Sequence, residues 1–171
     1  MTKELKKEPE RTAISEVETV RCIILNEFGQ VLMLEKVSDD GSPTTFELPG
    51  GKIDEQKGPF STLDEQMSAV RREVLEETGL NIETAVLHRL QDYVYEFENR
   101  GRSFRRRVHM FQASVPHTDV FVLNQSVNQR GELEFEHLRA AWLSKEELNE
   151  LRQQGRLVGN STRFDSKQMP N

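Results

Sequence analysis

The chain predicts an α+β fold, on three observations. Short β-rich runs bounded by turn residues lie on both sides of one long helical stretch. That stretch has no Pro or Gly between Thr62 and Gly79 and carries helix-capping signals at both ends. A second, shorter capped helix closes the folded part of the chain. At 171 residues the length suits one domain with a sizeable core. The expected division is a mobile charged N-terminal tail over 1–12, a domain over 13–155, and a polar C-terminal tail over 156–171.

Residues 18–25 and 30–37 are two β-rich runs joined by the turn Asn26-Glu27-Phe28-Gly29. Val31, Leu32, Met33 and Leu34 form a continuous apolar run, as a strand covered on both faces requires. Cys22 lies in the other run and reads as a small buried residue. Residues 38–45 are a loop, after which Phe46 begins a short strand leading into Leu48-Pro49-Gly50-Gly51, a turn whose glycines let backbone approach a ligand closely.

In the long helix, Thr62 serves as N-cap, Glu65 completes a capping box, and Gly79 supplies the left-handed stop. Leu63, Met67, Val70 and Val74 draw an apolar stripe that must face a core. Residues 85–90 read as a strand. In 92–98, Tyr93, Tyr95 and Phe97 share one strand face. A hairpin turn at 99–102 returns the chain as a strand over 104–113. Residues 121–131 are expected as a polar loop over the site, 138–143 as a strand containing Trp142, and Ser144 with Glu147 as the capping box of the last helix, whose Leu148 and Leu151 face inward.

The acidic residues of the long helix ask for a separate explanation. Glu73, Glu76 and Glu77 stand at i, i+3 and i+4, so their carboxylates crowd one patch at the edge of the apolar stripe. Like charges at this spacing cost about 0.2–0.5 kcal/mol per pair on an exposed helix, and more where water is partly excluded. The last turns of a helix also disfavour anions. A divalent cation offsets these penalties, and hard oxygen ligands suit Mg²⁺ or Mn²⁺. The plain alternative is a solvated Glu-rich helix face.

The rest of the stretch favours the cation. Arg72-Glu73-Val74-Leu75-Glu76-Glu77-Thr78-Gly79-Leu80, with Gly51 upstream, resembles the signature of the Nudix hydrolases, G-x(5)-E-x(7)-R-E-U-x-E-E-x-G-U with U aliphatic. The second half matches at every fixed place. The middle departs: seven extra residues, about 57–63, separate Gly51 from the helix, and Asp64 stands where the family has Glu.

The resemblance implies an α/β/α sandwich with a mixed sheet. It implies a substrate in which a nucleoside diphosphate is linked to another group, cleaved by water attack on phosphorus. One to three divalent ions would then sit on Glu73, Glu76 and Glu77, with Glu73 also a candidate base, Glu76 and Glu77 the ligands, and the Gly51 carbonyl completing the metal shell. Arg72 ties the helix to a neighbouring carboxylate. Glu136, in Glu136-His137 followed by Trp142, occupies the region where many members place a further acidic metal residue, with Glu134 and Glu132 behind it. His137 reads as a packing or surface residue. Lys36 lies where the family often turns a basic residue to the substrate.

The hairpin holds a dense basic cluster of Arg100, Arg102, Arg105, Arg106 and Arg107, suited to a polyphosphate or an RNA 5′ end. Arg105 and Arg107 share one strand face and Arg106 the other, so they cannot all serve one site; Arg105 and Arg107 are the substrate-binding candidates. The competing reading is a charged edge hairpin that discourages edge pairing. Tyr95 is a candidate for stacking on a base, and core packing is its alternative.

Composition narrows the class further. A net charge of −6 and a pI near 5.4 argue against a general nucleic-acid binder. Mean hydropathy is −0.67, no apolar run approaches the ~20 residues of a membrane span, and the N-terminus lacks a secretory h-region. With a single cysteine, a cytoplasmic setting is the simplest expectation. The expected partner is a small nucleotide-diphosphate substrate, with an RNA 5′ end and a homodimer left open. Two other functional classes compete: a non-catalytic Nudix domain that binds nucleotides or regulates, and isoprenoid diphosphate isomerase chemistry, which would want a cysteine in the pocket. The complete set of glutamates opposes the first and the position of Cys22 the second.

Overall fold

The structure is a computed structural model. It describes residues 14–37, 41–54, 59–127, 129–131 and 133–158. The N-terminal tail, most of the C-terminal tail, part of the insertion before the long helix, and Glu132 lie outside them.

The elements are β1 (Ser15–Leu25), β2 (Val31–Lys36), β3 (Thr45–Glu47), α1 (Leu63–Thr78), β4 (His88–Arg89), β5 (Tyr93–Asn99), β6 (Arg102–Ser114), β7 (Gln125–Val127), β8 (Leu133–Phe135), β9 (Arg139–Leu143) and α2 (Lys145–Gln153). The main sheet runs β3-β2-β1-β6-β4, with β5 on β6 and β9 on β2. It is mixed: β1 and β6 are parallel over eleven register pairs, and the other pairings are antiparallel.

Both faces of the sheet are covered. Val20, Cys22, Ile24, Leu32, Phe111 and Ala113 pack with Val70 and Val74 of α1. Ile23, Leu25, Val31, Met33, Val108 and Met110 pack with Leu148 and Leu151 of α2. Strand alternation sends successive side chains into the two cores, which is why Cys22–Leu25 of β1 and Val31–Leu34 of β2 read as continuous apolar runs. The result is an α/β/α sandwich. Burial also pushes the Cys22 thiol up to about 12, so at neutral pH it is a protonated core group and no nucleophile.

Both helix starts form as their sequences require. Thr62 accepts from the Glu65 N–H and Ser144 from the Glu147 N–H, and each glutamate reaches back to its cap. Gly79 ends α1 at φ 74°. The apolar stripe is only partly right. Val70 and Val74 are buried, but Leu63 is 46% exposed. Gln66 is buried instead, its amide donating to the carbonyl and hydroxyl of Ser61.

Three stretches differ from expectation. The strand expected over 85–90 shrinks to His88 and Arg89, because β5 occupies the adjoining length of β6. The polar loop of 121–131 contains β7, which pairs with β8 in a separate two-stranded sheet of exposed residues. Packing also continues past Gly155: Leu157 is 4% exposed, Phe46 donates its N–H to the Arg156 carbonyl, and Val158 donates back to Phe46. Among the described residues no helix is long and apolar enough to cross a membrane.

The Pro49–Gly51 turn lies along β1. Val20 N–H donates to Gly51 and Cys22 N–H to Pro49, each at 2.9 Å. This approach is close enough that a Cβ on Gly50, at φ 142°, would fall inside 3.0 Å of the Val20 carbonyl oxygen and the Arg21 Cα. Those neighbours are sheet backbone and cannot swing away. Gly50→Ala is therefore expected to destabilise by more than ~2 kcal/mol, read as a lower urea midpoint at unchanged m. An unaltered midpoint would show that the turn is not held against β1.

Candidate active site

The turn after β3, helix α1, and the segment between β8 and β9 converge on one open cleft of ≈ 530 Å³. Its lining includes Gly51, Glu73, Glu76, Glu77, Glu136 and Lys36, residues that the sequence had marked in four separate places.

The three helix glutamates do not share one environment. At about 100° per residue, Glu77 lies ~50° from the line through the apolar stripe, Glu73 ~90° and Glu76 ~150°. Exposure follows that order: 5% for Glu77, 13% for the Glu73 side chain and 48% for that of Glu76. Treating the three as one patch hid this gradient.

Glu77 is anchored from below. Its Oε2 accepts the Gly50 N–H at 2.8 Å. Burial nevertheless dominates and pushes its carboxyl up to about 7, although the Gly50 bond, His137 and Arg21 all pull the other way. Burial also raises Glu73, helped by the charge of Glu76 and opposed by Arg72. Arg72 spans the outer carboxylates, at 2.9 Å from Glu73, 3.3 Å from Glu76 and 3.6 Å from Asp54, and donates to the Lys52 carbonyl. Burial works against its charge, yet these acids hold it above the usual range. It braces the helix, as its place in the motif implies.

Glu136 comes to the same point from the far end of the chain. Ligand atoms of Glu77, Glu136 and His137 lie within 4.8 Å of one another. Of the two places expected for His137, surface or packing, the structure gives the buried one. It is 1% exposed, and its Nε2 hydrogen-bonds Glu47 Oε1 at 2.9 Å. A carboxylate only accepts, so this bond places a proton on Nε2. Nδ1 has no partner. Burial raises the Glu47 carboxyl, but His137, Arg21 and Lys36 outweigh it and hold the group below its ordinary value.

These residues fit a divalent cation. The donors are mainly carboxylate oxygens, the choice of hard ions. A buried imidazole nitrogen lies unsatisfied among the cluster residues. Gly51 leaves the space its role requires, since a Cβ there would fall inside 3.0 Å of the Glu73 carboxylate. The Gly51 carbonyl already accepts the Val20 N–H and has one lone pair left.

The substrate-binding candidates divide. Lys36 lines the cleft. The structure does not bring Arg105 and Arg107 there. The parallel β1–β6 register sets Arg106 beside Val17 and turns its face to the cleft, so Arg105 and Arg107 point to the other side of the sheet. Arg105 is engaged with Glu96 at 2.8 Å and Glu16 at 3.5 Å. Tyr95 is half-buried in a row of rings, 6.3 Å from Tyr93 and 5.9 Å from Phe97, and its hydroxyl accepts from Arg106 at 3.0 Å. Arg21 and Glu47 are site residues that the sequence did not mark, while Arg106 and His137 were visible there, by alternation against Arg105 and Arg107 and by adjacency to Glu136, without being assigned to the site.

A mixed-sheet α/β/α sandwich with a glutamate helix, a glycine turn and a distant acid at one cleft defines a Nudix-type hydrolase. The NUDIX domain model matches residues 16–160, and the chain belongs to that family. No curated protein matches the chain. Among solved structures, the E. coli dihydroneopterin triphosphate pyrophosphohydrolase is similar at a TM-score of 0.59 and 19% identity, over 88% of this chain and 93% of that one. A MutT protein from Methanosarcina mazei Go1 is similar at 0.54 and 23%, over 90% and 96%. A bifunctional NMN adenylyltransferase/ADP ribose pyrophosphatase from Francisella tularensis is similar at 0.55 and 16%, over 89% and 40%.

Proposed function

We propose that this Nudix hydrolase is a Mg²⁺- or Mn²⁺-dependent pyrophosphohydrolase that cleaves a nucleoside diphosphate linked to another moiety by water attack on phosphorus. One observation carries the reading. Glu77 is buried beside Glu136 and His137, at a cost in free energy that a divalent ion would offset. A bound ion would neutralise phosphate oxygens and lower the pKa of its water. Glu77, Glu136, Glu76 and the Gly51 carbonyl would hold it. The Gly50 N–H fixes one Glu77 oxygen and leaves the other to face the cleft. Glu73 stands at the edge of the cleft with one oxygen on Arg72, placed to accept a proton from the attacking water. Lys36 adds positive charge to the lining of the cleft. The E. coli neighbour is a dihydroneopterin triphosphate pyrophosphohydrolase and the Francisella neighbour includes an ADP ribose pyrophosphatase, which supports the reading.

The test is a panel of nucleoside triphosphates, dinucleoside polyphosphates, nucleotide sugars and capped or triphosphorylated RNA, assayed with each ion in ¹⁸O water. A nucleoside monophosphate or its equivalent is expected, with one ¹⁸O in a phosphoryl product and no turnover in chelator. Turnover that persists in chelator would remove the metal from the mechanism.

A further inference from the structure

We propose that Arg106 is a specificity-determining residue that receives a phosphate group beyond the cleaved linkage. The enzyme would then favour substrates ending in a polyphosphate chain over nucleotide sugars. This rests on the pyrophosphohydrolase reading.

Three arginines line the cleft. Two are occupied by their own chain. Arg21 pairs with Glu47 and donates to the Leu48 and Gly50 carbonyls. Arg72 holds Glu73, Glu76 and Asp54. Arg106 has no carboxylate within 4.0 Å among the described residues, although Arg105 next to it has two. Among the described residues its one hydrogen-bond partner is the Tyr95 hydroxyl, so the donors that the guanidinium presents to the cleft favour a ligand that brings oxygens.

The side chain is held in place for such a ligand. Its guanidinium lies 4.7 Å from the Phe97 ring centroid and 5.7 Å from that of Tyr95, and Nη1 donates to the Tyr95 hydroxyl. Phe104 stacks on Phe97 at 5.3 Å and extends the row. Stacked between ring faces and a hydroxyl, the fork has little conformational freedom left to lose when an anion binds. Its planar donors match phosphate oxygens two at a time. The rest of the cleft is rich in carboxylates, and with Arg21 and Arg72 engaged, Arg106, Lys36 and Lys52 are the cations of its lining that attract a phosphate chain. Nucleotide sugars carry no phosphate beyond the linkage and leave this cation unused.

A terminal triphosphate can come from a free nucleotide or from an RNA 5′ end, and the experiment separates them. Calorimetry with Mn²⁺ would compare inorganic tripolyphosphate, ADP-ribose, and one oligonucleotide in 5′-triphosphorylated and 5′-monophosphorylated forms. Arg106→Gln is expected to weaken tripolyphosphate or the triphosphorylated RNA by about tenfold or more, with ADP-ribose unchanged and Arg106→Lys recovering only part of the loss. Loss on tripolyphosphate alone assigns the free chain, and loss on RNA alone assigns the RNA end. Equal weakening of every ligand, or none, overturns the proposal. Tyr95→Phe is an independent arm. It frees Nη1 and leaves the core ring in place, so a several-fold loss confined to the same ligands is expected even if Arg106→Gln folds poorly. Binding is read without turnover. A chain that binds tripolyphosphate through Arg106 but hydrolyses nothing refutes the enzymatic reading alone. One that hydrolyses nucleotides with binding indifferent to Arg106 refutes only this proposal.

Discussion

Replacing Glu76 and Glu77 together with glutamine is expected to lower turnover by about 10³-fold or more. Each tenfold in rate is ~1.4 kcal/mol of transition-state stabilisation, and charge neutralisation by a divalent ion contributes several kcal/mol. Glutamine keeps the length and planarity of glutamate, and its side-chain oxygen can still accept the Gly50 N–H that Glu77 accepts now. What disappears is two negative charges. The loss should fall on kcat and be accompanied by weaker Mn²⁺ binding, measured by calorimetry or by the EPR signal of free Mn²⁺. Unchanged turnover on a substrate that responds to the wild type would end the mechanism proposed above.

In the metal-free protein, Glu77 should make stability fall as pH rises from about 4.5 to 7. Burial holds its folded-state pKa at about 7, against 4.5 for a solvated carboxyl in the unfolded chain, so over this window the folded state binds more protons than the unfolded state. The stabilising contribution is complete below pH 4.5 and is lost as pH rises through the folded pKa. The total is roughly 3 kcal/mol, at about 1.4 kcal/mol per unit. Glu73 is shifted the same way, whereas Glu35 and Glu47 are held low and lose stability as pH falls. Urea denaturation of metal-free wild type and Glu77→Gln isolates the Glu77 contribution: the difference between them should grow from pH 5 to 7 and then level. Mn²⁺ favours the ionised form, so its shift in Tm should increase over the same range. A pH-independent difference would show that Glu77 ionises as freely folded as unfolded.

Much of the fold was readable along the chain. Capping boxes, the left-handed Gly79 and the continuous apolar run Val31–Leu34 are read from neighbours a few residues away, and each formed as expected. The β7–β8 pair was not readable. Its strands are three residues each and wholly exposed, so no buried face imprints a period on them. In the site, the acidic helix, Gly51, Glu136 and Lys36 could be named singly from motif and resemblance, and they meet at one cleft. The Glu47–His137 bond, which spans 90 residues, left no trace in local sequence.

The sequence alone determined that three glutamates would stand together on one helix and that Arg106 would oppose Arg105 and Arg107, because helical and strand periods follow from local backbone geometry. Tertiary structure decided which of those glutamates is buried and which arginine meets the cleft. Helix roll against the sheet, the parallel register of β1 on β6, and the turn pressed along β1 all depend on surfaces that meet only after distant segments pack.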